Sequence, residues 1–130
     1  MALNITIKKR TMKSLQELQE GLNQFTGAIV WYQPLLYPHF LYSNGVRYLA
    51  TNTNCFWLLD FIFSNQSLAT LKEEIFQVWT IEFEKGKASI TISDGNENVI
   101  EVFPLFDTFF PLKKQTLWCI QGRLILPTEY

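Results

Sequence analysis

The sequence predicts an α+β domain in which helices pack on one face of an antiparallel meander sheet of about five strands. Three observations carry this expectation. The first half holds capping-box signatures followed by apolar residues at helical spacing. From Gln77 onward the apolar residues recur with a period of two. Lys85-Gly86, Asp94-Gly95-Asn96 and Gln121-Gly122 then punctuate the second half as hairpin turns. Helices first and strands afterwards make an α+β chain, and an antiparallel sheet can leave one face to solvent.

Taken in order, residues 1–12 read as a frayed or extended tail. Ser14-Leu15-Gln16-Glu17 is a capping box, and Leu15, Leu18 and Leu22 follow at helical spacing. With Gly21 as a C-cap, a short helix spans about 14–21. Ile29 to Gln33 reads as a short strand, and Pro34 and Pro38 break any regular element after it. Ser43-Asn44-Gly45 opens a helical turn carrying Val46, Tyr48 and Leu49. The run 55–63 is apolar at nearly every position, so periodicity cannot separate helix from strand. Its length and the Asn and Thr residues ahead of it favour a buried helix. Thr70-Leu71-Lys72-Glu73 repeats the capping-box pattern and predicts another helical turn. Trp79, Ile81 and Phe83, then Ala88, Ile90 and Ile92, form one face of two strands. A third strand runs from Val99 to Phe103 and stops at Pro104; Leu117 to Ile120 and Leu124 to Leu126 make the last hairpin.

Composition bounds the function. The 130 residues fit one domain, 1–130, and the 48% apolar content is enough for an ordinary core. A net charge of -1 gives no general grip on nucleic acid. The one basic cluster, Lys8, Lys9, Arg10 and Lys13, reads as a solvated tail. Cys55 and Cys119 lie in apolar runs, far apart and with no histidine beside them, so they read as reduced thiols and not as zinc ligands. No apolar run reaches the roughly 20 residues of a membrane helix, and no signal-peptide pattern is present. The expectation is a cytoplasmic protein that binds no membrane.

Five segments resemble an uncharacterised family of small bacterial proteins associated with mobile elements and plasmids. They are Leu22-Asn23-Gln24-Phe25-Thr26-Gly27, Asn44-Gly45-Val46-Arg47-Tyr48-Leu49-Ala50, Trp57-Leu58-Leu59-Asp60, Phe76-Gln77-Val78-Trp79 and Leu126-Pro127-Thr128-Glu129-Tyr130. The resemblance covers roughly 22–130 and implies one compact domain from a prokaryotic cytoplasm. It supplies no activity, substrate or catalytic residue. Gln33-Pro34 departs from the pattern, which wants a basic residue and a His shortly after the tyrosine.

Asp60 is the residue whose chemistry asks a question, because it interrupts the most apolar run of the chain. A buried carboxylate must be paired, protonated or useful. It is expected to be a structural group on a buried helix, bonded to a Tyr, a Trp or a backbone amide. The sharper alternative is a small ligand-binding or catalytic pocket formed by Tyr48, Trp57 and Asp60, with His39 as a possible helper. His39 is the single histidine and follows Pro38 on a loop, so it reads as exposed and inert. Asp94-Gly95-Asn96-Glu97-Asn98 lacks the Gly and Glu of a calcium loop at the required positions and is explained by a hairpin.

The chain has eleven Phe, five Tyr and four Trp. Trp31, Tyr32, Tyr37, Phe40 and Tyr42 crowd a Pro-containing segment and form the best candidate for a recognition surface. Arg47 nearby leaves stacking on an unpaired strand of nucleic acid as a further alternative. Phe106, Phe109 and Phe110 form a second aromatic patch, suited to sealing the sheet or to a dimer contact. The chain end at Leu126-Pro127-Thr128-Glu129-Tyr130 either docks on the domain or offers its carboxylate to a partner. With no phosphate loop, metal cluster or nucleophile with its base in the sequence, the expectation is a non-enzymatic interaction module without cofactor. Its partner is another protein or a second copy of the chain, and nucleic acid is disfavoured.

Overall fold

The computed structural model describes residues 14–105 and 108–130. The N-terminal tail with its basic cluster, and Phe106 and Asp107, lie outside the described residues. Helix α1 (Leu15–Asn23) starts where the capping box places it: the Glu17 amide donates to Ser14 Oγ at 3.1 Å. It runs on past Gly21 and is capped at Gln24, so Gly21 is no C-cap. The Tyr48 phenol packs over Gly21, and a Cβ there would overlap it. Glycine is at 21 for close approach within the helix and not to end it.

Strand β1 (Trp31–Tyr32) and strand β2 (Leu41–Ser43) precede helix α2 (Asn44–Thr53) and helix α3 (Phe56–Ser64). Ser43 caps α2, its hydroxyl accepting from the Val46 amide at 3.2 Å. Asn54 ends the helix in the left-handed region at φ 53°, as a polar residue with a short side chain can. The 55–63 run is the helix the sequence predicts. The second capping-box pattern is not used: Thr70 Oγ1 donates to Glu101 at 3.0 Å, and a single turn closes through the Lys72 amide on the Leu68 carbonyl.

Five further strands follow: β3 (Phe76–Glu84), β4 (Lys87–Ser93), β5 (Val99–Leu105), β6 (Lys114–Ile120) and β7 (Arg123–Ile125). Among the described residues the sheet has seven strands in the order β1-β2-β7-β6-β3-β4-β5. The expected five-strand antiparallel meander is therefore corrected. β3, β4 and β5 form the meander, β6 returns beside β3, and β2 pairs parallel to β7 with Leu41 opposite Arg123. The sheet is mixed, and the helices are interleaved with its first strands. Both tight hairpins have two consecutive residues at positive φ, Lys85-Gly86 at 53° and 75° and Gln121-Gly122 at 50° and 79°. That backbone matches the right-handed twist of the flanking strands. β5 continues through Pro104, opposite Ser89, because it is an edge strand and needs no outward donor.

One face of the sheet forms the core. Trp79, Ile81, Ile90, Ile92, Leu117, Cys119 and Leu124 lie under Leu49 and Ala50 of α2 and Leu58, Ile62 and Phe63 of α3. Each fully buried aliphatic or Phe side chain contributes about 1.5–3 kcal/mol of transfer free energy. The buried Gln77 is fully satisfied: it exchanges amide bonds of 2.8 and 2.9 Å with Gln66 and accepts from Trp79 Nε1 at 2.9 Å. The opposite face is half-buried and mixed, with Thr80 opposite Thr116 on one side and Thr91 on the other.

Candidate interaction surface

The sequence points first to Asp60, and the structure corrects its expected burial: Asp60 is exposed. The reason is helical geometry. Phe56, Asp60 and Ser64 sit four apart on α3 and form its outer stripe, all three exposed, while Leu58, Leu59, Ile62 and Phe63 face the core. Trp57 is half-buried against the core. Tyr48 turns toward α1, its ring 5.2 Å from that of Phe25. A shallow cleft of about 170 Å³ lies elsewhere, lined by Gln19, Leu22, Asn23, Gln115, Thr116, Leu126, Pro127 and Thr128.

Among the described residues the buried carboxylate is Glu129, 6% exposed. It accepts from the Leu126 amide at 2.9 Å, from the Gly45 amide at 3.1 Å and from the Ser43 hydroxyl. It therefore sits on the N-terminus of α2, where unpaired amides and the helix dipole favour negative charge. A Cβ at Gly45 would lie 2.6 Å from Glu129 Cδ, so only glycine lets the carboxylate approach. With its oxygens engaged by three donors, the group has a holding role: it ties the end of the chain to β2 and α2. The signal in the sequence was Pro127 with an acid two residues on, together with a glycine just inside a helix start.

The titratable groups that could do chemistry are placed as follows. Burial pushes the Cys119 thiol up to about 12 and also raises Cys55, so neither supplies thiolate near neutral pH. His39 is exposed on the Pro38 loop. Asp94 accepts from the Asn96 and Asn98 amides and from the Asn98 side chain, which closes the β4–β5 hairpin. Among the described residues no three His, Cys, Asp or Glu side chains come together as a metal site. Among the same residues no helix is long and apolar enough to cross a membrane.

The aromatic segment divides in two. Tyr37 and Phe40 pack on Phe63 at 6.1 and 5.3 Å and close the core. Trp31, Tyr32 and Tyr42 instead occupy the β1 edge of the sheet. Tyr32 stacks on Tyr42 at 5.6 Å, and the Arg47 guanidinium lies 4.3 Å above the Tyr32 ring. Arg123, rooted two strands inward on β7, carries its guanidinium back to 5.6 Å from the Trp31 ring. Both arginines are exposed, and among the described residues neither is ion-paired. Around this edge Ile29 is 84% exposed, Val30 46%, Leu35 94% and Leu36 74%. Among the described residues nothing pairs the outer side of β1, and four aliphatic side chains in water beside such an edge are unusual for a surface with no partner. Ile29, Val30, Leu35, Leu36 and Arg123 were missed as surface residues in sequence: Ile29 and Val30 read as part of a short strand, Leu35 and Leu36 between two prolines read as irregular chain, and Arg123 meets Trp31 only through the fold. In the second aromatic patch Phe110 is buried and Phe109 lies exposed against Phe83 at 5.4 Å.

All five segments singled out in the sequence meet around α2 and its neighbours, Phe76–Trp79 through Trp79 in the shared core and through the Phe76 ring at Tyr130. The end of α1 reaches Tyr48 through Phe25, α3 follows α2 directly, and the chain end reaches Gly45 through Glu129. No curated protein and no solved structure matches the chain. The profile of a family of unknown function, DUF6876, matches residues 16–130. The chain belongs to the DUF6876 family.

Proposed function

We propose that the chain is a non-enzymatic protein-interaction module whose contact surface is the β1 edge of its sheet. The observation that carries this reading is the coincidence, on one edge, of a strand whose outer side is unpaired among the described residues, the exposed Ile29, Val30, Leu35 and Leu36, and two arginines stacked on aromatic rings. Aromatic and arginine anchors ringed by apolar area are the composition of binding hot spots. Trp31, Tyr32 and Tyr42 are the anchors; Tyr37 and Phe40 support the surface from below. The resemblance to small bacterial proteins of mobile elements, and two buried reduced cysteines, support a place in a bacterial cytoplasm as an accessory protein.

The test is site-specific photo-crosslinking in cells. A photoreactive residue at Leu35 is expected to trap a protein adduct, and one at the exposed Val102 on the far edge is not. Trp31→Ala with Tyr32→Ala should abolish the adduct while the melting temperature shows the fold retained. A nuclease-sensitive adduct would establish the single-stranded nucleic-acid reading instead. Adducts of equal yield from both positions would refute the surface.

A further inference from the structure

The β1 edge has a geometry that selects a particular partner. In the β1–β2 pair, Trp31 lies opposite Ser43 and Tyr32 opposite Tyr42. The Asn44 amide bonds the Val30 carbonyl at 3.0 Å, one position outside that pair. Antiparallel ladders alternate, so the Val30 and Tyr32 positions spend their backbone groups on β2. Trp31 then turns its own amide and carbonyl away from β2, toward the open side. A strand laid along this edge would find donors and acceptors at Trp31 and at the flanking odd positions.

The two arginines lie on opposite faces of that same edge. Tyr32 shares a face with Tyr42, Leu124 and Cys119, the face that carries α2 and its Arg47. Trp31 shares the other face with Ser43, Leu41 and Arg123. Successive side chains of any added strand alternate between those faces. Each face therefore presents one guanidinium, held on an aromatic ring and without an acidic partner among the described residues.

We infer that the partner is a protein segment that adds to β1 as a further strand and carries two neighbouring acidic residues flanked by aliphatics. One carboxylate would meet Arg47 and the next Arg123, while the aliphatics cover Ile29, Leu35 and Leu36. Backbone pairing supplies affinity and the alternate side chains supply specificity. This inference rests on the interaction surface proposed above.

The probe is a display library of short random peptides selected on the intact protein. Enriched peptides should hold an acidic pair within an apolar, β-prone stretch. Arg47→Glu and Arg123→Glu should each weaken them on the order of tenfold, more so at low salt. A scan of backbone N-methylation along one such peptide should abolish binding at alternate residues, since only every second amide faces β1. Peptides that need Leu35 and Leu36 but lack acids, ignore the arginine reversals and tolerate N-methylation everywhere would overturn the strand-addition inference and leave the surface standing. Peptides indifferent to Trp31, Leu35 and Leu36 would overturn both.

Discussion

Removing the Glu129 carboxylate is the most exacting perturbation of the fold that positions the β1 edge. Glu129→Ala strips the acceptor from three donors at once: the Ser43 hydroxyl, the Gly45 amide and the Leu126 amide. Ser43 is fully buried, and Glu129 itself is 6% exposed, so water enters only as far as the deleted side chain allows. An unsatisfied buried donor costs about 1–3 kcal/mol. Taking about 1.5 kcal/mol for each, with one partly relieved by water, gives a loss of about 3–4 kcal/mol. For a domain of this size, about 3–5 °C of melting temperature accompanies each kcal/mol. The expected fall is on the order of 10–20 °C, a large part of a typical stability of about 5–15 kcal/mol. Glu129→Gln keeps the shape but turns a donor toward the α2 amides, and should cost roughly half as much. Calorimetry and urea midpoints read both. A Glu129→Ala variant melting within about 2 °C of the parent would mean that the carboxylate does not hold these donors, because three orphaned donors cannot be that cheap.

Other outcomes follow from the same geometry. Gly45→Ala should cost about 1–3 kcal/mol, and combining it with Glu129→Ala should cost clearly less than the sum, read in a double-mutant thermal cycle. Asp60→Ala should change stability by less than about 0.5 kcal/mol, because the side chain is exposed on the outer stripe of α3; a larger loss in urea unfolding would restore its structural role. Asp94 is held below the usual carboxylate range by the Asn98 side chain, then by the Asn98 and Asn96 amides. Its folded value is lowered, so its contribution is complete above the ordinary value of about 3.9 and is lost as pH falls through the lower folded value. The protection of the β4–β5 turn amides, taken relative to an unstructured peptide at the same pH, should therefore fall in acid, and Asp94→Asn should remove that pH dependence; an unchanged acid response in the variant would contradict it.

Local elements were legible in the sequence and long-range ones were not. The caps at Ser14 and Ser43 and the hairpin turns after β3 and β4 are written in a few adjacent residues, so they could be read directly. β2 is three residues long, follows a proline and exists because it lies parallel to β7 from the other end of the chain. No local pattern announces that pairing. Pro104 looks like a strand end until the strand is known to be at an edge. Asp60 shows a different failure. The surrounding apolar residues argued for burial, although the spacing of Phe56, Asp60 and Ser64 already marks one outward stripe. The true buried acid, Glu129, stands near the chain end, where an acid ordinarily reads as solvated. It took the fold to bring Ser43 and Gly45 to it. The aromatic segment was readable as a whole, but its division into core lid and open edge depends on where Phe63 and the two arginines fall.

The proposed contact surface, the β1 edge, is where this domain would meet a protein partner. Titrating the isotope-labelled protein with a library-selected peptide, followed by amide and arginine side-chain resonances, tests it directly. Shifts confined to residues 29–36, Tyr42, Arg47 and Arg123 are expected, with new exchange protection at the Trp31 amide. Shifts centred on the opposite edge at β5, or on Phe76, Trp118 and Tyr130, with the Trp31 amide unprotected, would contradict it.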